Sequence, residues 1–380
     1  MGMDTDRKRR LILQVGKYYP PHKGGFETHL QTLATGLRTH FQVRVVVSSH
    51  SRKTFRSEED GVEIVRMATP FHLAGAPVSP SLARLLKETP SDLIHIHHPN
   101  PYAMMALLQS RIRTPWIVSY HSDVIRQKIL GSLFEPILSR ILRQSEAIIV
   151  SSQTLLDQSS VLPNFKEKCH VIPWGIIIER FQNPDSVAAG RIRNRYGNRP
   201  IVLAVGRMVY YKGFDFLIRA MRNVNAVLLI LGDGPLKNQL QKMAREIAPD
   251  RIFFPGEVPD SEIVPYFHAS DVFVLPSIAP SEAFGIVQLE AMASSKPVVN
   301  TDLPTGVPFV SQNDVTGITV PPRDEKALAD AMNKLLNDRE LAGQFGKAGF
   351  SRVREHFSAE TMVEKTIQLY DSILHQPVRI

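Results

Sequence analysis

The chain has one cysteine, Cys169, so no disulfide can form within it and a small fold stapled by bridges is excluded. A single thiol fits a reducing cytoplasm. Long apolar runs are missing too, since no stretch approaches the roughly 18 consecutive apolar residues of a membrane-spanning helix. The expected location is cytoplasmic, with the protein soluble or peripheral on the inner face of the plasma membrane. A secretory leader is not expected: Arg7-Lys8-Arg9-Arg10 precedes Leu11–Val15, but Gly16-Lys17 cuts that segment short of the roughly 7–15 apolar residues of a signal core. It reads better as a first buried strand. Short-period repeats and low-complexity tracts are absent, which sets aside solenoid and disordered architectures.

What is present is globular in composition. The chain has 380 residues, 43% of them hydrophobic and 22% charged. One core usually serves roughly 100–200 residues, so two domains are expected. The net charge of +8 is unevenly spread: residues 1–175 carry 22 Lys and Arg against 14 Asp and Glu, while residues 176–380 carry 23 of each. An anionic partner for the first half follows, whether nucleic acid, a phosphorylated substrate or an acidic membrane surface.

Short apolar runs alternate with segments of helical period. Strands are expected at Leu11–Val15, Val43–Val47, Leu93–Ile96, Trp116–Ser119 and Ala147–Val150, with helices at Gly25–Arg38, Pro101–Arg111 and Val124–Arg143. The second half repeats the scheme. Its strands are Ile201–Ala204, Ala226–Leu231, Ile252–Phe254, Val272–Leu275 and Pro297–Asn300; its helices lie near Phe214–Met221, Leu236–Ile247, Ser261–Ala269, Gly285–Ala293 and Glu325–Leu336. This order predicts an α/β protein of two Rossmann-like doubly wound domains facing a central cleft. The domains are placed at residues 1–178 and 179–358, with residues 359–380 forming a C-terminal helix that packs back toward the first. The polar stretch Gly175–Pro200 reads as the join.

Ligands of open α/β sheets bind beyond the carboxyl ends of the strands, so those loops carry the chemistry. After the first strand, Gly24 and Gly25 stand before a helix, where the backbone can approach an anion and the helix N-terminus offers free N–H groups. At the end of another strand, Arg207 and Lys212 put two cations in one loop, suited to the charge that grows on a departing diphosphate. Glu282 and Glu290 flank the start of the helix near Gly285. There the N–H groups of Phe284, Gly285 and Ile286 can meet a phosphate, and the two carboxylates can accept from sugar hydroxyls.

Gly206-Arg207 with Lys212-Gly213, Gly232-Asp233-Gly234-Pro235, Gly256-Glu257-Val258, and Glu282 spaced seven residues from Glu290 in a Glu-Ala-Phe-Gly setting follow one another in order. Together they resemble retaining glycosyltransferase family 4, which has the GT-B fold, and the match runs from the first glycine loop to near Phe357. The resemblance implies a nucleoside-diphosphate sugar donor, no metal and no cofactor. It assigns Arg207 and Lys212 to the diphosphate, Glu282 to the transferred sugar and Glu290 to the ribose, and it sets Glu257 and Val258 by the base. His121 it matches to a histidine beside the reacting sugar. Leu303-Pro304-Thr305-Gly306-Val307-Pro308-Phe309 departs from the Gly-Gly-x-Pro-Glu of many relatives and lacks its acid. That variant resembles a subgroup of O-antigen and exopolysaccharide hexosyltransferases, mannosyltransferases among them.

The expected reaction is retaining transfer of a hexose from GDP-mannose or a UDP-hexose to a hydroxyl of a saccharide or lipid-linked acceptor. A nucleotide-sugar epimerase and a non-catalytic sugar-binding protein are the alternatives. His95-Ile96-His97-His98 invites a metal reading, but neighbouring strand residues face opposite ways, so His97 and His98 cannot serve one centre. The basic, amphipathic Val124–Arg143 segment either packs on its own sheet or lies in an anionic membrane interface. Nucleic acid is not expected, since no helix-turn-helix, zinc or RNA-binding signature accompanies the charge.

Overall fold

The computed structural model describes residues 9–22, 24–73, 76–123, 128–183 and 185–375, and for 128–133 it describes the backbone alone. Lys23, Arg7-Lys8 and residues 124–127 of the expected amphipathic helix lie outside this set. Contacts divide the chain into two compact units: the chain up to Gly175 together with the segment from Ala359, and Ile176–Ser358.

The first unit contains β1 (Leu11–Val15), α1 (Gly25–Leu37), β2 (Gln42–Ser48), β3 (Phe55–Glu59), β4 (Val62–Met67) and the hairpin β5 (Phe71–Leu73) and β6 (Ala76–Val78). It continues with α2 (Leu82–Glu88), β7 (Leu93–His98), α3 (Pro101–Ser110), β8 (Trp116–Tyr120), α4 (Lys128–Gln144), β9 (Ala147–Val150), α5 (Gln153–Gln158) and β10 (Cys169–Val171). One sheet runs β10-β9-β8-β7-β1-β2-β4-β3, parallel except where β3 joins β4. Side chains alternate across it as a pleat requires. Leu13, Val15, Ile94 and Ile96 enter one core with Met104 and Leu107, while Ile12, Val45 and Leu93 enter the other with Leu30 and Leu33 of α1. Gln14, His95 and His97 are buried polar residues of the same strands.

The second unit opens with α6 (Glu179–Gln182) and α7 (Ser186–Arg195), inside the stretch that reads as a plain join. No residue of α7 is buried, so it shows no apolar period; Asp185 caps it by accepting from the Ala188 N–H. Then come β11 (Ile201–Val205), α8 (Phe214–Ala220), β12 (Val227–Leu231), α9 (Lys237–Ile247), β13 (Ile252–Gly256), α10 (Val264–Ala269), β14 (Val272–Leu275) and α11 (Ile286–Ala293). β15 (Val298–Thr301), α12 (Val307–Val310), β16 (Gly317–Val320), α13 (Glu325–Asn337) and α14 (Arg339–His356) complete it. Its parallel sheet runs β13-β12-β11-β14-β15-β16, the doubly wound order that reverses between β11 and β14.

The final helix, α15 (Ala359–Leu374), belongs to the first unit. Met362, Val363, Leu369 and Tyr370 enter the core that holds Ile12, Leu33 and Val45. The sequence boundary at 178/179 compares with one at 175/176 by contacts.

Candidate active site

In the second unit the loops after β11 and β14 meet where the strand order reverses, and they bring Lys212 and Glu282 together. Lys212 closes a short 3-10 turn, Tyr210–Lys212. Its Nζ lies 2.6 Å from Glu282 Oε2, with both side chains about nine-tenths buried. Ser277, just past β14, donates to the same Glu282 oxygen at 2.9 Å. Burial works against the Lys212 ammonium, but the Glu282 carboxylate outweighs it and the pKa is raised, so the cation persists at any ordinary pH. The turn depends on Gly213. That residue has φ +64, and a Cβ there would stand 2.0 Å from the Pro276 carbonyl. Arg207, by contrast, is exposed.

Lys212 and Glu282 are buried as a pair, so removing either strands the other's charge in a dry place.

Around this pair the glycine loops stack backbone on backbone. Gly232 leaves no room for a side chain, since a Cβ at its φ of +124 would lie 2.2 Å from the Gly206 carbonyl. Phe284 and Ile286 are buried at the entrance to α11, and Gly285 is its N-cap. The first turn of α11 is where a helix leaves N–H groups without internal partners. Gly306 N–H donates to the Ala283 carbonyl at 2.8 Å, so the divergent Leu303–Phe309 segment packs directly on the Glu282 loop. Asn300 ties this together, donating to Gln288 Oε1 at 2.9 Å and to the carbonyls of Val307 and Ser311.

Glu290 lies within α11. Burial raises its carboxyl to about 7, Arg180 opposes the shift and Asp260 adds to it. Glu257 and Val258 follow β13, the edge strand, with Glu257 exposed.

In the first unit, Gly24 caps α1 and Gly25 is its first residue. The Glu27 carboxylate fills the space beside Gly24, where a Cβ would meet Oε2 at 2.3 Å. An acid therefore already occupies ground that the sequence reading reserves for an anion. His121 follows β8 and is buried. Its ring meets Trp174 edge-on at 5.1 Å and Phe26 at 5.2 Å. His95 and His97 stack on one face of β7 at 4.4 Å, and His98 turns to the other face against Tyr120 at 4.6 Å.

His29, His97 and His121 present nitrogens that lie within 4.8 Å of one another, a set that could hold a metal ion. His97 Nδ1 and His121 Nε2 are 3.0 Å apart, which makes them a hydrogen-bonded pair with one proton between them. Burial lowers the pKa of all three imidazoles, so they are neutral near pH 7.

The sequence reading therefore located Arg207, Lys212, Glu282, Phe284, Gly285, Ile286 and Glu290 in one unit, and Gly24, Gly25 and His121 in the other. It missed Ser277, Arg180, Gln14, His29 and Tyr370. Ser277 follows a strand end and could have been weighed on that ground. The others touch the site only through tertiary packing.

The family model described as Glycosyl transferases group 1 matches residues 189–352, and that described as Glycosyl transferase 4-like domain matches residues 24–175. The chain is similar to O-antigen chain mannosyltransferase C of Escherichia coli, 30% identical over 367 residues that cover 96% of this chain and 98% of that one. It is similar to D-rhamnosyltransferase WbpZ of Pseudomonas aeruginosa, 31% identical and covering 79% of each chain. Among solved structures it resembles sucrose-phosphate synthase from Thermosynechococcus elongatus, with a TM-score of 0.80, 22% identity, and 96% and 99% of the two chains covered. It also resembles Anabaena HepE in complex with UDP-glucose, with a TM-score of 0.79, 19% identity, and 96% and 100% covered. These likenesses establish the GT-B fold.

Proposed function

The chain belongs to the glycosyl transferases group 1 family and is a glycosyltransferase, and on that premise we propose that it moves a hexose, with retention, from a nucleoside diphosphate to a hydroxyl of a lipid-linked saccharide. The observation that carries the reading is the buried Lys212–Glu282 pair at the sheet's reversal point, beside Arg207. Lys212 and Arg207 meet the charge that develops on the departing diphosphate, Glu282 takes hydroxyls of the transferred sugar, and Glu290 takes the ribose. With a permanent cation fixed in the loop, the charge can be met without a divalent ion.

GDP-mannose is the donor we favour over a UDP-hexose. A mannosyltransferase of O-antigen chains is 30% identical, and a GDP-mannose-dependent phosphatidylinositol monomannoside mannosyltransferase of Mycobacterium tuberculosis is 28% identical over 93% of this chain. The same relatives support cell-surface polysaccharide or glycolipid synthesis. No helix of the described residues is long and apolar enough to cross a membrane. The basic first half supports attachment to an anionic surface, which flotation with anionic vesicles measures.

The test is a donor screen that follows nucleotide release across GDP- and UDP-sugars, with NMR of the product's anomeric proton. Turnover with GDP-mannose, retained configuration and unchanged activity in EDTA are expected. An inverted product, or activity lost in EDTA and restored by a divalent ion, sinks the corresponding part.

Glu290 adds a pH dependence. Ribose hydroxyls donate, so they favour the ionised carboxylate over the form that burial raises to about 7. Binding should release a proton, and nucleotide affinity should rise as pH climbs from about 6 to 8 and then level off. Calorimetry at pH 6.5 in buffers of different ionisation enthalpy measures the proton. Glu290→Gln should flatten the profile; an unchanged profile in that variant removes Glu290 from the ribose.

A further inference from the structure

Five hydrogen bonds run through the first unit from His121 to Ser119 by way of α15, and the sense of each dictates the next. Gln14 is the centre. Its Oε1 can only accept, so His97 Nε2, 2.8 Å away, carries a proton and donates. A neutral imidazole has one such proton, which leaves His97 Nδ1 an acceptor, so His121 Nε2 at 3.0 Å must be the donor. On the other side, Gln14 Nε2 donates to the Tyr370 hydroxyl at 2.8 Å. Tyr370 then donates to His95 Nδ1 at 2.6 Å, and His95 Nε2 donates to Ser119 Oγ at 2.7 Å.

We propose that Tyr370, Gln14 and His97 are positioning residues that fix the tautomer of His121, with its proton on Nε2 and its Nδ1 left to accept from a sugar hydroxyl. The sugar contact rests on the function proposed above; the tautomer rests on the hydrogen bonds, the orientation of the Gln14 amide and the neutrality of the rings. Nδ1 of His121 has no hydrogen-bond partner among the described residues, so it is the nitrogen available to a substrate. The chain has one other self-consistent sense. Turning the Gln14 amide over reverses all five bonds and moves the His121 proton to Nδ1, converting an acceptor into a donor. A sugar hydroxyl can donate to the first form and not to the second.

Each ring must be neutral to carry a single proton, and the surroundings supply that neutrality. His121 faces His29 and Phe26 from α1, His97 from β7, and Trp174. No carboxylate or permanent cation is in that group. Burial holds His97 near 3 and keeps His95 and His121 well below the usual imidazole range, with neighbouring histidines adding to the effect on these two. Tyr370 is likewise kept as a phenol by burial. Gln14 and Tyr370 are 356 positions apart, so the arrangement couples the first strand of the chain to its last helix.

The experiment is a long-range proton–nitrogen correlation on ¹⁵N-histidine protein, with the His121 signals assigned by their loss in His121→Ala, alongside steady-state kinetics. Wild type should show His121 protonated on Nε2. Tyr370→Phe removes one oxygen and Gln14→Leu removes the directing amide. Each should give a mixed His121 tautomer and lower kcat about tenfold, the low end for loss of a partner that orients a working imidazole, with the donor KM close to wild type. Circular dichroism checks folding, and if Gln14→Leu does not fold, Tyr370→Phe carries the test. A wild-type proton on Nδ1, or a tautomer unmoved in the folded variants, overturns the positioning role. The expected tautomers combined with full turnover in His121→Ala overturn the sugar contact, and with it the place of His121 in the proposed reaction.

Discussion

Lys212→Met should lower kcat about 10²–10³-fold, the usual cost of removing one fixed donor from a developing negative charge. The substrate diphosphate is already charged, so part of the interaction exists before bond breaking and the donor KM should rise as well. The larger loss belongs in kcat because the leaving oxygen gains charge only as the bond to the sugar lengthens. The Lys212 ammonium needs little reorganisation, since Glu282 and the 3-10 turn already hold it. Exposed Arg207 must be ordered by the donor, so Arg207→Ala should weaken KM more than kcat. Nucleotide release under saturating donor separates the two. Turnover of Lys212→Met within tenfold of wild type removes Lys212 from the diphosphate.

Glu282→Ala should unfold at a markedly lower temperature than wild type, in addition to losing transfer. Removing one partner of a buried ion pair costs about 3–5 kcal/mol, because the remaining charge has neither water nor partner. For a unit of this size that corresponds to roughly 10 °C or more in midpoint. Ser277 cannot compensate, since its hydroxyl is then without its own acceptor. The paired variant Lys212→Met with Glu282→Leu should regain most of the loss while remaining inactive. Thermal denaturation of the singles and the double reads this directly. Equal melting of Glu282→Ala and wild type would show that the pair is solvated and contributes little.

Much of the fold is legible in the sequence because parallel strands buried on both faces read as unbroken apolar runs. β1, β7, β8, β11, β12 and β14 are of this kind, and each was expected within a few residues. The omissions have physical causes. β3 is a mostly exposed edge strand, and β4 interleaves Glu63 and Arg66 with its apolar residues. Arg66 is buried all the same, held by Glu59 at 2.8 Å and by the Pro20 carbonyl at 2.6 Å. β10 and β16 are only three and four residues long.

The site divides in a similar way. Lys212 and Glu282 are legible because strand-end loops in an open α/β sheet point at one place. Their direct contact is not, since two charged residues 70 positions apart carry no mark of pairing. Glu290 stands beside Leu289 and Ala291 in the sequence and is half-buried in the helix; that Arg180 lies near it depends on α6, a single turn without an apolar period. Gln14 and Tyr370 each look like ordinary members of a strand and an amphipathic helix. Only the fold reveals the polar chain between them.

The place of α15 also orders events during synthesis. The ribosome must complete all of Ile176–Ser358 before it makes the helix that finishes the first unit. At about 5–20 residues per second, that interval lasts roughly ten seconds or longer. Until then Leu33 and Val45 lack the cover of Met362 and Leu369, and the Gln14 amide has no phenol to receive it. A nascent or truncated chain can thus carry a finished second unit while the first unit, with its histidine face, still lacks the helix that closes its core.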